Sequence, residues 1–568
     1  MRLLRPVLGA ATAVLAVLAC TTPATPASAA DAAYDVLVFS KTTGFRHDSI
    51  AVGTQAIRDL GAANNFTVTA TEDGAQFTTA NLAKYEAVVF LNTTGDVLNA
   101  SQQTAFESYI GAGGGYVGVH SAADTEYDWP FYGNLVGAWF ASHPAIQQAT
   151  VRVEDRAHAA TAHLGQTWQR TDEWYNYRTN ARSTAHVLAN LDESSYSGGG
   201  MGADHPHVWC KTYSGGRSFY TGGGHNQSAY SEPAFRSHLL GGIRYAAGRT
   251  KADCRPETGY TALYNGSTNG WSQAGPGSFT NSNATLSSVG GLGMLWYSTK
   301  QFTNYSLKLD WKMDGDDNSG VLIGFPPSSD PNSAMDNGYE VQIDATDTAD
   351  RTTGSIYSFK AADQAARDAA LNPPGEWNTY ELLVEGERLQ VLLNGVKIND
   401  FTNTDPVRSL AGHIGIQNHG TGDDVSFRNI RIKELGGTPS TGTGPIRGLA
   451  GKCLDVRGAA TADGTQIQIY TCNGGAGQTW TVTPNSTIKA LGKCLDVSGG
   501  GTANGTKIQL WTCTGGTPQN WSAQSDGTLR NPASGKCLDV TGNNSADSTP
   551  VLLWTCSSSA PNQKWTLP

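Results

Sequence analysis

The sequence predicts a multidomain chain: an α/β body, then an antiparallel β-sandwich, then three copies of one small unit that share a core. Three observations predict it. In the first part, short continuous apolar runs such as Val36-Leu37-Val38-Phe39 alternate with helix-like stretches. In the middle, polar and apolar residues alternate strictly between turn signals. Near the C-terminus one pattern occurs three times, as Lys452-Cys453-Leu454-Asp455-Val456, Lys493-Cys494-Leu495-Asp496-Val497 and Lys536-Cys537-Leu538-Asp539-Val540. A second cysteine follows the first by nineteen positions in each copy (Cys472, Cys513, Cys556), and each copy closes on Gln-x-Trp at Trp480, Trp521 and Trp565. A repeat of this kind means units that bury their apolar faces against one another. A chain of 568 residues is in any case too long for a single core.

Taken from the N-terminus, residues 1–30 read as an export signal. Arg2 and Arg5 form the charged start, residues 7–19 the apolar stretch, and Ala27-Ser28-Ala29 the small-x-small cleavage site. The apolar run is too short to remain as a membrane span, and no later stretch is long enough. A secreted protein is therefore expected, with a lipid anchor on Cys20 as the second choice. The net charge is −10 and no Lys/Arg run could track a phosphate backbone, so nucleic acid is not an expected partner. A monomer is expected.

Residues 34–250 read as α/β. Ala87-Val88-Val89-Phe90-Leu91 and Tyr116-Val117-Gly118-Val119 join Val36–Phe39 as strands buried on both faces, with a helix near residues 101–110 between them. Such alternation implies a parallel sheet. Residues 257–435 change character. Residues 306–312, 380–384 and 389–393 alternate with period two, and Gly386 and Asn394-Gly395 supply turns, so antiparallel strands with one buried face are expected. The Gly/Ser/Thr-rich residues 436–444 read as a flexible linker, and 445–568 hold the repeats.

The repeat pattern resembles the ricin B-type β-trefoil lectin, which implies a carbohydrate-binding module and a polysaccharide or oligosaccharide partner. By that resemblance the first copy offers Asp455, Gln468, Tyr470 and Asn473 to a sugar, the second Asp496, Gln509 and Trp511, and the third Asp539 and Trp554. Thr514 and Ser557 replace Asn473, and Leu552 replaces the glutamine, so the first copy is ranked best and the third weakest. The Gln-x-Trp tryptophans are expected in the core. With the cysteines of each copy paired, Cys453 to Cys472, Cys494 to Cys513 and Cys537 to Cys556, two remain besides Cys20. Cys210 and Cys254 are expected to pair with each other; the alternative is two buried free thiols. Disulfides fit an oxidising compartment.

The middle region resembles the 3-keto-disaccharide hydrolase family through Asn318-Ser319-Gly320-Val321, Asn337-Gly338-Tyr339-Glu340-Val341-Gln342-Ile343, Pro374-Gly375-Glu376-Trp377-Asn378, Leu393-Asn394-Gly395-Val396, Gly415-Ile416-Gln417-Asn418-His419-Gly420 and Phe427-Arg428-Asn429-Ile430. This implies a concanavalin-like jelly roll with its ligand on the concave sheet face. It also implies removal of the acidic C2 hydrogen beside a 3-keto group, which needs one base and a donor at the keto oxygen rather than the paired carboxylates of ordinary glycosidases. Glu340, Gln342 and Asp344 would share a strand face, and Gln417 and His419 another. Glu340, Gln342 and His419 are therefore the candidates for base and oxyanion support, with Arg351 and Lys360 as hydroxyl binders. Trp377 and Asn378 are expected to pack and turn, and Asp314, Asp316 and Asp317 to form a solvated turn.

In the α/β region, His120 ends a buried strand in Gly114-Gly115-Tyr116-Val117-Gly118-Val119-His120-Ser121-Ala122, the edge where open sheets bind ligands. This segment resembles the trehalose-utilisation (ThuA-like) family, related in fold to class I glutamine amidotransferases (flavodoxin-like). So do Gly44-Phe45-Arg46-His47, Trp129-Pro130-Phe131-Tyr132, Ser142-His143-Pro144, Asp172-Glu173-Trp174-Tyr175-Asn176-Tyr177 and Gly223-Gly224-His225-Asn226. Amidotransferases carry a nucleophilic cysteine at this elbow; His120 stands here instead, which excludes thiol acyl transfer at this position. Ten of the twelve histidines precede residue 240. His47, His120, His143 and His225, with Asp124 and Glu173, are expected to form a pocket for a sugar or a divalent metal, although no tight His-x-x-x-His spacing marks a metal site and no cofactor is certain. The reading is a secreted carbohydrate-active protein that hydrolyses 3-keto-glycosides in the sandwich while the trefoil binds glycan. The alternative is a non-catalytic multi-module carbohydrate-binding protein, and an ordinary endo-glycanase ranks third.

Overall fold

The computed structural model describes residues 31–435, 442–483, 487–524 and 526–568. The expected export signal, Cys20 and residues 436–441 of the expected linker lie outside them.

The apolar runs of the first region become the middle of a nine-stranded sheet, ordered Phe66–Thr71, Tyr34–Phe39, Ala87–Leu91, Gly115–Val119, Gly216–Thr221, Pro206–Tyr213, His186–Leu191, Gln147–Val153 and Thr167–Asp172. Successive side chains of a strand point to opposite faces, so each run feeds two cores. Val36, Val38, Val89 and Val117 pack with Ile57, Leu239 and Ile243 on one face. Leu37, Phe39, Val88 and Phe90 pack with Phe106 and Ile110 on the other. The helices responsible are Ile50–Ala63 and Pro233–Ala246 for the first core and Ala100–Gly111 for the second. The last begins at Asn99, whose side chain exchanges hydrogen bonds with Gln102 in a capping box.

The sheet is only half parallel, which corrects the expectation. The strands from Phe66–Thr71 to Gly216–Thr221 run parallel, and the other four are antiparallel to their neighbours. The reversal comes from Ser214-Gly215, a two-residue connection with both φ angles positive (51° and 92°). A connection that short can join only antiparallel strands.

The second region forms two antiparallel sheets. One is ordered Ser278–Ser282, Thr285–Val289, Val425–Glu434, Tyr305–Met313, Asn378–Glu385, Arg388–Leu393, Val396–Thr402, with Thr261–Tyr264 also on Val425–Glu434. The other is ordered Trp271–Ala274, Gly293–Tyr297, His413–Asn418, Asn318–Phe325, Tyr339–Asp344. Leu307, Leu309 and Trp311 from the first meet Val321, Val341 and Ile416 from the second in one core. Asn394 and Gly395 close a hairpin as expected, both with positive φ. The polar face of Tyr305–Met313 departs from expectation because it is buried too. Lys308 pairs with Asp253 and Glu257, each at 3.0 Å, and Asp310 accepts from Thr379 and Asn429. Asp314, Asp316 and Asp317 shape a turn, as expected: Asp317 accepts from the Asp314 and Gly315 N–H groups.

In the third region the strands Thr465–Tyr470, Thr506–Trp511 and Thr549–Trp554, one per repeat, pair with one another around a pseudo-threefold axis. Trp480, Trp521 and Trp565 lie in the shared core and donate their indole N–H to the carbonyls of Leu454, Leu495 and Leu538. The repeats interlock: Asp547 accepts from Lys452 and Thr471, Asp463 from Lys493 and Thr512, and Asn504 from Thr555. Gly442–Gly444 pairs with Trp480–Val482, so the end of the expected linker belongs to this sheet.

All four disulfides form as expected, three within the repeats and Cys210–Cys254. The last ties Pro206–Tyr213 to the chain leaving the final helix. Replacing both cysteines by serine is expected to lower the stability of this region by about 2–4 kcal/mol, read as a lower denaturant midpoint with unchanged slope.

Candidate functional site

Three places carry chemistry. The first is the outer face of the five-stranded sheet. Along Tyr339–Asp344, Tyr339, Val341 and Ile343 enter the sandwich core, so Glu340, Gln342 and Asp344 turn outward together. Beside them opens a cavity of about 270 Å³ lined by Leu292, Asn318, Asn332, Met335, Glu340, Gln342, Tyr357, Gln417 and His419. Glu340 is the sole carboxyl group among these lining residues. The neighbouring strand makes room for it: a Cβ on Gly320 would lie 1.9 Å from Glu340 Oε1.

Glu340 is buried, and burial pushes its carboxyl up to about 8 against a smaller downward pull from Gln417. Its Oε1, Gln342 Oε1 and Gln417 Oε1 are all buried without a hydrogen-bond partner. Buried acceptors of this kind are costly unless a ligand supplies donors. Gln342 is oriented by its Nε2, which donates to Asn318 Oδ1 at 3.2 Å, while Asn318 donates to Asp344 at 2.9 Å. Asp344 is otherwise committed to the Thr346 and Asp347 N–H groups.

His419 lines the same cavity but is not on the strand with Gln417. The strand ends at Asn418, and His419 stands half-exposed beyond it with Nδ1 3.1 Å from Asp423 Oδ2. Neither Lys360 nor Arg351 lines the cavity: the Lys360 ammonium donates to the Asp400 carbonyl, and Arg351 stacks over the Tyr357 ring. Trp377 packs under the Arg428 guanidinium at 3.6 Å, and Asn378 is a buried strand residue that accepts from the Asn372 N–H. Asn318, Gly320 and Tyr357 were not singled out from the sequence as site residues. Asn318 and Gly320 lie in a motif quoted above, but their pairing with Asp344 and Gln342 is a cross-strand register that only the fold shows.

The second place is the C-terminal end of Gly115–Val119. His120 follows with φ +48°, a left-handed turn that swings its ring beneath the loop at residues 222–226. His120 Nδ1 lies 2.9 Å from the Gly222 carbonyl. A carbonyl can only accept, so Nδ1 carries the proton and Nε2 faces His225 Nδ1 (3.2 Å) and Glu173 Oε2 (3.3 Å). His225 Nδ1 is 3.2 Å from the same Glu173 oxygen. His47 joins them: one donor atom from each of His47, His120, Glu173 and His225 lies within 4.8 Å of the others. This buried cluster is capable of coordinating a divalent metal.

Burial, helped by His120 and His225, pushes the His47 ring down to about 3. Burial also pushes Glu173 up, but hydrogen bonds from His120 and His225 outweigh it and hold the carboxyl well below the usual range; Glu173 in turn raises His225. His143 sits outside the group, exposed, with Nδ1 3.1 Å from Glu173 Oε1 and 2.9 Å from the Pro144 carbonyl. Asp124 is not in the cluster either, since Tyr127 holds its carboxylate at 2.5 Å. Asp172, part of a quoted motif but not among the expected pocket residues, accepts from the Gly224 and His225 N–H groups and so fixes the loop.

The third place recurs three times on the trefoil. Asp455 accepts from Gln468 and Asp496 from Gln509, both at 2.9 Å. Asp539, lacking that glutamine, accepts from Asn562 and Gln563, and burial raises its carboxyl. Two residues further along each strand stands an exposed ring: Tyr470, Trp511 or Trp554. Asn473 uses its side-chain oxygen to accept from the Gly475 N–H, which shapes its own turn. The Gln-x-Trp glutamines are structural; Gln478, for instance, accepts from the Asn473 N–H and donates to the Thr471 carbonyl.

Comparison with known proteins gives three regional matches. Residues 35–246 match the family model described as ThuA, trehalose utilisation. Residues 259–433 match that of the 3-keto-alpha-glucoside-1,2-lyase-like domain, and residues 442–565 that of the ricin-type beta-trefoil lectin domain. A glucan endo-1,3-beta-glucosidase from Arthrobacter sp. (strain YCWD3) is 44% identical over 74 residues, 12% of this chain and 14% of that protein. The chain thus spans about 14% of the length of that curated relative. Among solved structures, a ThuA-like protein from Bacteroides uniformis is 23% identical, covering 39% of this chain and 94% of that one, with a TM-score of 0.35. A candidate glycosyl hydrolase from Parabacteroides distasonis is 23% identical, covering 31% of this chain and all of that one (100%), with a TM-score of 0.28. Among the described residues no helix is long and apolar enough to cross a membrane, and the four disulfides are consistent with an extracellular protein. The chain is multidomain: regions matching the ThuA, 3-keto-alpha-glucoside-1,2-lyase-like and ricin-type beta-trefoil lectin family models follow one another in that order.

Proposed function

We propose that the sandwich cleaves 3-keto-glycosides by elimination followed by hydration, while the trefoil holds the chain on glycan. The observation that carries this reading is the solitary Glu340 carboxyl in a cavity otherwise lined by amides, Tyr357, His419 and apolar groups. Hydrolysis by the usual route needs two carboxyl groups about 5–9.5 Å apart, and the lining has one. Elimination needs one base. The Glu340 carboxylate takes the C2 proton, which the neighbouring ketone acidifies. The electron pair moves toward the ketone as an enolate, then returns to form C1=C2 as the C1–O bond breaks. The departing alkoxide takes a proton and leaves as an alcohol. Water then adds across C1=C2, with hydroxyl to C1 and a proton to C2. His419 and the Tyr357 hydroxyl are the lining donors for the keto oxygen or the leaving group, and Gln342 Oε1 and Gln417 Oε1 suit sugar hydroxyls. A separate oxidation must supply the ketone.

Release of product from a 3-keto-disaccharide but not from its unoxidised parent is the expected result with the full chain. Glu340→Gln should lower kcat/KM by about 10²–10⁴-fold; unchanged turnover would remove Glu340 from the mechanism and favour a binding role for the cavity. Because Glu340 acts as a base, wild-type kcat/KM should climb with pH and level off above about 8. Stability should move the other way. A carboxyl raised from its ordinary 4.5 to about 8 is preferred neutral in the fold, so its stabilising contribution is complete below 4.5 and is lost as pH rises through 8. Thermal melts of wild type should therefore fall relative to Glu340→Gln between pH 5 and pH 8.

For glycan retention, the 74-residue match to a glucan endo-1,3-beta-glucosidase makes β-1,3-glucan the first glycan to try. The combined substitution Tyr470→Ala, Trp511→Ala and Trp554→Ala should abolish retention on the glycan that wild type binds. The melt should stay within a few degrees, because the three exposed rings lie outside the tryptophan core. Single substitutions rank the three copies, and the expected order places Tyr470 first.

A further inference from the structure

We propose that His47, His120, Glu173 and His225 hold one divalent transition-metal ion, so that the α/β region is a second chemical centre independent of the Glu340 cavity. The first ground is distance. His120 Nε2, His225 Nδ1 and Glu173 Oε2 form a triangle with sides of 3.2, 3.2 and 3.3 Å. Bonds of about 2.0–2.1 Å to a tetrahedral ion place neighbouring donors about 3.3–3.4 Å apart, so the triangle is already close to the face of such a site. His47 supplies a fourth donor within 4.8 Å of the other three.

The second ground is how the donors are held. His120 donates from Nδ1 to the Gly222 carbonyl, so Nε2 is the ring nitrogen turned to the centre of the group, and the proton it donates to Glu173 is given up when an ion binds. A metal-bound imidazole characteristically donates its other N–H to a carbonyl or carboxylate. Glu173 has one oxygen in the triangle and the other engaged by His143. His47 Nδ1 faces Ser121 Oγ at 3.3 Å. The Tyr175 ring packs on His120 at 4.2 Å and fixes its plane. The third ground is ligand type. Three imidazoles and one carboxylate suit zinc, iron, cobalt or nickel, whereas magnesium and calcium prefer all-oxygen shells.

The exposed neighbours of the group are Phe45, whose ring meets that of His47, and His143. These place the centre beside solvent and next to an apolar ring that suits the C–H face of a sugar. With all four donors bound, an ion that expands to five-coordination would polarise a bound carbonyl or bring a water's pKa near neutrality.

The test uses the full chain, stripped with chelator, reloaded with Zn²⁺ or Co²⁺, and passed through a desalting column before elemental analysis. One equivalent per chain is expected in wild type and equally in Glu340→Gln, which separates this proposal from the elimination reading. Stripped wild type loaded with Co²⁺ should show visible d–d absorption. His143→Ala, which removes the contact to Glu173 and leaves the four donors in place, should weaken uptake about 10–100-fold. His225→Ala should weaken it further and erase the absorption, while its melt in chelator matches that of stripped wild type. Wild type alone can overturn the proposal, by failing to take up one equivalent of either ion. Undiminished uptake by a folded His225→Ala would overturn it too.

Discussion

Alternation of side chains across a β-strand is the constraint on which everything else here rests. A strand has two faces, and each region uses them differently. In the α/β sheet both faces are apolar, and each feeds its own layer of helices. In the sandwich one face of Tyr339–Asp344 fills the core and the other carries Glu340 and Gln342 to the cavity. In the trefoil the same rule puts Leu454 and Ile469 in the core and leaves Asp455, Gln468 and Tyr470 on the far side. A slip of one residue in any of these strands would exchange core for site.

Two glutamates show how surroundings decide chemistry. Glu340 and Glu173 are both buried, and burial alone raises both. Around Glu340 stand amides and apolar groups, and nothing cationic offsets the lost hydration, so its carboxyl keeps its proton up to about pH 8. Around Glu173 stand imidazoles that donate to it, so it stays ionised, as a metal ligand must. The gap opposite Glu340 also explains Gly320, whose missing side chain leaves the space that the carboxyl fills.

The trefoil differs from the other two regions in where its stability lies. Each repeat is too small to bury a core alone, so the three share one, sealed by the tryptophan N–H bonds and laced at the rim by Asp547, Asp463 and Asn504. That division leaves the exposed rings free of structural duty.

Regularities that recur along the chain were legible in advance. The threefold repeat, its cysteine spacing, the period-two strands around Asn394-Gly395 and the doubly buried strands at Val36, Ala87 and Tyr116 all follow from periodicity, because side-chain period and burial are coupled locally. Neighbourhoods across the sequence were not. That the α/β sheet turns antiparallel at Pro206–Tyr213 rests on the two-residue turn at Ser214-Gly215. That His419 lies beyond its strand, that Asp124 is taken by Tyr127, and that Lys360 is taken by the Asp400 carbonyl depend on contacts between distant segments. The sequence by itself determined which residue types reach which strand face and how many bodies the chain makes. Only the tertiary structure decided that His47, His120, Glu173 and His225, spread over nearly 180 positions, meet within 4.8 Å, and that Glu340 stands without a second carboxyl in its cavity. Spacing along a chain sets orientation, whereas convergence on a point depends on how whole elements pack.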